Sequence, residues 1–235
     1  MLTTFVFAGV LLACPRAHAE RVAPADEPGF IQIYKQLAVK ILSGGGPTAN
    51  FVGTGFAFPL EGKALALTNA HVVALGLGEK ATPGGLNVAY AGSVGWHAAV
   101  SVLSMPQMDL AVIETDVTAP QARPFPLGRA SLSDTVYSIS FDQEEFQQAQ
   151  PVVFKGAVVG IMPVLFPSSV LLTRPPIPPD AVKAYVIDGS DCIYGASGSM
   201  VLNARGELIA VNAGRIEGGL CIAVAAQEVV RLLSR

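Results

Sequence analysis

From Ala49 onward the chain is a succession of short apolar runs cut by glycine and proline, and this punctuation limits the folds open to it. Phe51–Phe58 alternates aromatic residues with glycine, Pro59–Gly62 reads as a turn, and Ala64–Thr68 reads as a second strand. Further strands are expected at Leu86–Tyr90, Trp96–Ser104 and Leu110–Glu114, then at Thr135–Ser140, Val152–Ile161, Val182–Ile187, Met200–Leu202, Glu207–Ala213 and Leu220–Val224. The Pro-containing stretch Thr118–Gly128 separates two halves of similar style, and Asp142–Gln150 and Pro163–Asp180 read as less regular loops. Many short strands in two halves imply an all-β chain of two small antiparallel barrels. Helical periodicity occurs only near the ends. Phe30–Leu42 carries apolar residues near helical spacing and is stopped by Ser43–Pro47, so a short helix or partly a strand is expected there. Ala226–Leu233 reads as a closing amphipathic helix.

The 235 residues suit one large all-β unit or two small domains, and 51% hydrophobic against 14% charged residues supplies a substantial core. A net charge of −3 without a basic run argues against nucleic acid and anionic membrane surfaces as partners. Residues 1–19 resemble a secretory leader: Phe5–Ala13 is too short to span a bilayer, and Ala17-His18-Ala19 fits a cleavage site that leaves Glu20 first. The n-region lacks Lys and Arg, and Leu11–Cys14 offers lipid attachment at Cys14 as the weaker alternative. A secreted or periplasmic protein is expected, beginning with a loose polar arm from Glu20 to Pro28. Removing the leader leaves two cysteines, Cys192 and Cys221, an even pair for an oxidising compartment. A bridge between them would contribute roughly 3–4 kcal/mol by restricting the unfolded chain; two buried thiols are the alternative.

One stretch points to chemistry. Asp191–Met200 places Ser197 among Gly195, Ala196 and Gly198. Small residues allow a sharp turn that leaves the hydroxyl unshielded and lets the amides of Gly195 and Ser197 converge where an oxyanion could form. A Gly/Ser-rich turn would look the same, so a base must be found. Outside the leader only His71 and His97 exist, and neither follows Ser197. That excludes the Ser-then-His order of α/β-hydrolases. His71 follows a buried strand in Thr68–Val73 and is preferred over His97, which lies within a strand; a structural histidine is the competing reading. The orienting carboxylate should be buried and hydrogen-bonded. Asp109, opening the apolar run to Ile113, fits best, whereas Asp116 and Asp134 sit in looser contexts and Asp188 and Asp191 fall on the wrong side of the order.

Taken together, Thr68–Val73, Asp109–Ile113 and Gly195–Ser199 resemble the histidine, aspartate and serine motifs of the chymotrypsin-fold (trypsin-like) serine proteases, closest in style to exported bacterial members without a PDZ domain. The likeness runs from about residue 50 to the C-terminus, with the motifs 38 and 88 residues apart. It implies two six-stranded antiparallel β-barrels with a short N-terminal and a C-terminal helix. The expected divisions are leader 1–19, arm and helix 20–47, first barrel 48–128, second barrel 129–225 and C-terminal helix 226–235. It also implies His71 as general base, Asp109 as its orienter, Ser197 as nucleophile, and the Gly195 and Ser197 amides as oxyanion hole. Cys192 and Cys221 resemble the family's bridge across the specificity pocket, whose walls would include Cys192, Tyr194, Asn212, Ala213 and Gly214.

The departures carry expectations as well. Ala196 stands where animal digestive members carry an aspartate that captures a new N-terminus, so activation by that ion pair is not available. Ser199 and Met200 replace Gly and Pro of the family pattern. An exported serine endopeptidase, monomeric and without cofactor or metal, is expected to act on protein or peptide through an acyl-enzyme. A catalytically silent binding module on the same fold is the alternative.

Overall fold

The structure is a computed structural model. It describes residues 20–44, 49–60, 63–77, 85–92, 95–115, 125–142, 150–166, 170–171, 180–189 and 194–234. Residues 1–19, where a leader is expected and Cys14 lies, and also Asp116, Asp191 and Cys192, are outside the described residues.

The first barrel closes in the order β2 (Ala38–Ser43), β3 (Asn50–Leu60), β4 (Lys63–Thr68), β7 (Leu110–Thr115), β6 (His97–Met105), β5 (Leu86–Tyr90) and back to β2. The second closes through β8 (Thr135–Ser140), β9 (Val152–Leu165), β11 (Val182–Asp188), β14 (Cys221–Ala225), β13 (Leu208–Arg215) and β12 (Met200–Asn203). All these pairings are antiparallel, and the chain is all-β with two six-stranded barrels, as the resemblance implies. Two short strands, β1 (Glu20–Arg21) and β10 (Val170–Leu171), add to β9. The helices are α1 (Ile31–Lys35), α2 (Ala70–Leu77) and the closing α3 (Ala226–Leu233), whose Val229 and Leu232 are fully buried.

Strand alternation explains how one chain fills both barrels. Along β11, Val182 and Ala184 join the main core, while Tyr185 and Ile187 belong to a second cluster with Val201, Ile209 and Ala223. Successive side chains point to opposite faces, so strands buried on both faces read as unbroken apolar runs. Phe125 joins α1 to the first barrel. Its ring packs on Phe56 and Phe58 of β3, at 5.4 and 5.8 Å between centroids, and on Tyr34 of α1 at 5.6 Å.

The apolar run Phe30–Leu42 is part helix and part strand, within the expectation: it is helical over Ile31–Lys35, and from Ala38 it is the first strand of the first barrel. Ala38, Val39, Ile41 and Leu42 are buried on both strand faces, which blurs the two-residue period into an apparently helical one. The boundary at residue 48 therefore moves forward to residue 38. The arm from Glu20 is not loose. Glu20 and Arg21 pair with Lys155 and Phe154, and the Val22 amide donates to the Val153 carbonyl at 2.9 Å. Downstream of it, Tyr34 donates its hydroxyl to the Gly206 carbonyl at 2.6 Å, and Phe30 packs on the glycine itself.

Candidate active site

His71 is the second residue of α2, directly after β4. The first amides of a helix have no partner within it. Asp109 supplies one: its Oδ1 accepts the His71 backbone N–H at 3.0 Å. The same carboxylate meets the imidazole, with Nδ1 at 3.0 Å from Oδ1 and 2.9 Å from Oδ2. One buried acid thus fixes both the main chain and the ring of the histidine. The Asp109 side chain is only 8% exposed, against 40% for His71, so the pair is closed on the aspartate side and open at the far side of the ring.

Asp109 reaches this position through an unusual backbone. It ends the 3-10 turn Pro106–Met108 in the left-handed region, at φ 50° and ψ 40°. Aspartate is among the few residues that enter this region readily. Asn69, fully buried, donates its side-chain amide to the Asp109 carbonyl at 2.9 Å and holds the turn in place. Residues two positions before the histidine and at the aspartate are therefore joined side chain to main chain.

Ser197 sits in the turn before β12, between Gly195 at φ 98° and Gly198 at φ 86°. The turn is anchored by its carbonyls. Gly195 O accepts the Thr54 hydroxyl at 2.7 Å, Ala196 O accepts the Ser199 amide at 3.0 Å, and Ser197 O accepts the Thr54 amide at 2.9 Å. Asn212, buried, adds its side-chain amide to the Ala196 carbonyl at 3.3 Å. The amides of Gly195 and Ser197 donate no hydrogen bond among the described residues, which leaves two donors at the turn for an incoming oxyanion.

Gly53 of β3 is the meeting point of the two halves. A Cβ there would lie 2.8 Å from both methyls of Val72, the neighbour of His71, and 3.2 Å from the Ser197 carbonyl oxygen. Histidine helix and serine turn therefore press on the same glycine. The Ser197 hydroxyl itself donates to the Ala213 carbonyl at 3.4 Å, its one hydrogen bond among the described residues. His97 is elsewhere, at the start of β6 with its ring 5.7 Å from that of Tyr90. Asp134 accepts the Ser131 amide in a surface turn, and Asp188 ends β11.

Of the residues read as pocket walls, Tyr194 is the most open, 86% exposed immediately before Gly195. Ala213 and Gly214 lie on β13, with Gly214 opposite Ile222, and Asn212 is turned inward to the Ala196 carbonyl. Cys221 is buried at the start of β14. Among the described residues, no group of three or more His, Cys, Asp or Glu could hold a metal, and no helix is long and apolar enough to cross a membrane.

A sequence model of the trypsin-like peptidase domain matches residues 53–211. The chain belongs to the trypsin-like peptidase family. It is a serine protease by that membership, and the two barrels with the histidine on the first and the serine on the second agree with it. No curated protein sequence matches the chain significantly. Among solved structures the fold is similar to the Rv3671c protease of M. tuberculosis in its active form, with TM-score 0.70 and 19% identity over 100% of this chain and 93% of that one. It is also similar to the MamO protease domain of Magnetospirillum magneticum (TM-score 0.62, 19% identity, 86% and 97% covered). The HtrA-type protease AlgW crystallised with a decapeptide is similar at TM-score 0.64 and 16% identity, covering 87% of this chain and 65% of that one.

Sequence reasoning missed Thr54 at this candidate site and gave no individual role to Thr68 and Asn69, which lie within the Thr68–Val73 motif. The signal for Thr54 was present: Gly53 and Gly55 flank it inside a strand, and glycine in a strand marks close approach of another backbone.

Proposed function

We propose that this trypsin-like protease is an exported serine endopeptidase working through an acyl-enzyme on Ser197. The observation that carries the reading is the His71–Asp109 pair, held at 2.9 Å on the first barrel and pressed with the Ser197 turn against Gly53. In the reaction His71 Nε2 takes the Ser197 hydroxyl proton as the oxygen attacks the scissile carbonyl carbon. The amides of Gly195 and Ser197 receive the resulting oxyanion. His71 then returns the proton to the leaving amine as the C–N bond breaks. Water, deprotonated by the same ring, releases the acid and restores Ser197. Asp109 holds the Nδ1–H tautomer and stabilises the imidazolium.

Rotation of the Ser197 side chain away from the Ala213 carbonyl has to accompany substrate binding, because catalytic hydrogen bonds commonly tighten only in the complex. The same Ala213 contact is what favours the second reading, a silent module whose serine never turns to the histidine. Tyr194, Ala213 and Gly214 are proposed to border the substrate, with Asn212 behind them. Export with cleavage before Glu20 is supported by the pairing of Glu20 and Arg21 onto β9, which builds the first mature residues into the fold. A Cys192–Cys221 bridge is supported by the bonded state of Cys221. A monomer acting on peptides, without nucleic acid, completes the proposal.

The test is labelling of folded protein by a fluorophosphonate probe, with Ser197→Ala alongside. Label on the parent and none on S197A is expected. Absence of label on the parent, together with no peptidase or esterase turnover, refutes the endopeptidase in favour of the silent module.

A further inference from the structure

Thr54 belongs to the first barrel, yet most of its polar groups serve the second. It is fully buried on β3. Its hydroxyl donates to the Gly195 carbonyl at 2.7 Å and accepts the Phe141 amide at 3.0 Å. Its amide donates to the Ser197 carbonyl at 2.9 Å, and its carbonyl accepts the Thr68 hydroxyl at 2.7 Å. Thr68 closes β4, three residues before His71. One residue therefore touches the oxyanion turn, the nucleophile's main chain, the end of β8 and the strand that delivers the histidine.

We infer that Thr54 is a positioning residue that sets the oxyanion hole through its hydroxyl bond to the Gly195 carbonyl. This rests on the reading of Ser197 as nucleophile. Gly195, at φ 98°, has the widest backbone freedom of any residue type, so its N–H can swing away from the oxyanion unless the adjoining peptide is fixed. Ala196 offers no polar side chain to fix it, and the Asn212 amide reaches the next carbonyl along. Among the described residues, the Thr54 hydroxyl is the side-chain group that bonds to the Gly195 carbonyl and fixes that peptide. The Phe141 amide orients it, since an oxygen accepting from that N–H has its own proton left to aim at Gly195. Phe51 packs where a Gly195 side chain would stand, so the peptide is held on one side by a ring and on the other by a hydrogen bond.

The experiment compares Thr54→Val, which keeps the shape and removes the hydroxyl, with Thr54→Ser, which keeps the hydroxyl. Fluorophosphonate labelling is resolved into a maximal rate and a half-saturating concentration, and exchange of the Phe141 amide is followed separately. Losing a hole donor costs about 10²–10³ in rate; disordering one is expected to cost T54V about 10- to 100-fold in maximal rate, with half-saturation unchanged within about twofold. Phe141 exchange should rise about tenfold in T54V, and T54S should recover both quantities. Should T54V fail to fold, Thr54→Ala against T54S makes the same comparison. T54V labelling at the parent rate overturns the inference, and so does an equal fall in T54V and T54S that tracks their melting temperatures. If the parent itself takes no label, the endopeptidase reading fails on its own account. Amide exchange then still decides the matter: unchanged protection in T54V refutes the role of Thr54 in holding the turn.

Discussion

Gly198→Ala should damage stability and activity together, by amounts the turn itself sets. Gly198 sits at φ 86°, and a Cβ there would overlap the Thr54 carbonyl oxygen and the Thr68 hydroxyl. The left-handed backbone alone costs an alanine roughly 1–2 kcal/mol. Relief of the overlap must part the turn from β3, which strains the Thr68-to-Thr54 hydrogen bond of 2.7 Å and the bond from the Gly198 amide to the Asn212 carbonyl of 2.8 Å. At about 1 kcal/mol for each bond, the sum is about 3–4 kcal/mol. For a protein of this size that lowers the melting temperature by roughly 6–16 °C. The neighbouring Ser197 shifts with the turn, and a displacement of about 1 Å can cost ~10²-fold in rate. Thermal unfolding and fluorophosphonate kinetics on one preparation measure both effects. Gly92→Ala is the control, since Gly92 has the same backbone sign at φ 73° but open space around it, so strain alone should cost it roughly 1–2 kcal/mol without loss of labelling. If G198A melts and reacts like G92A, close packing of the turn on β3 is not what holds Ser197.

Two further outcomes are expected. Asp109→Asn keeps the shape but sets an amide where both carboxylate oxygens now meet Nδ1; the ring turns to the tautomer protonated at Nε2, and labelling should slow by about 10³–10⁴-fold, a result contradicted by a variant within tenfold of the parent. Tyr34→Phe removes the hydroxyl bond to Gly206 and should cost about 1 kcal/mol in denaturant unfolding. Burial also raises the Tyr34 pKa, so the folded state disfavours the phenolate. The parent should therefore lose stability relative to Y34F as pH climbs past about 10; a gap between the two that stays constant across that range contradicts this.

The residues of the proposed triad could be picked out as candidates from the sequence because each sits in a local context with its own logic: a strand end for His71, a turn into an apolar run for Asp109, small residues around Ser197. Strands such as Leu86–Tyr90 and Thr135–Ser140 were equally legible, since turn residues bound them on both sides. β2 was not, because burial on two faces erased its alternation. Nor was the role of Thr54. Its partners Phe141 and Gly195 lie 87 and 141 residues away, and a hydrogen bond of that span leaves no periodic trace in the chain. The left-handed backbone of Asp109 was hidden for a related reason: it depends on the Asn69 amide, 40 residues upstream.

The docking of Glu20 and Arg21 on β9 bears on how this protein can be produced. β9 would otherwise present bare peptide groups at Phe154 and Lys155, and an uncovered strand edge recruits other chains. A shortened protein starting at Gly29 would retain His71, Asp109 and Ser197, the residues of the proposed triad, and still be prone to self-association. Affinity handles are better placed after α3 than directly before Glu20, where they would crowd the strand that seals this margin.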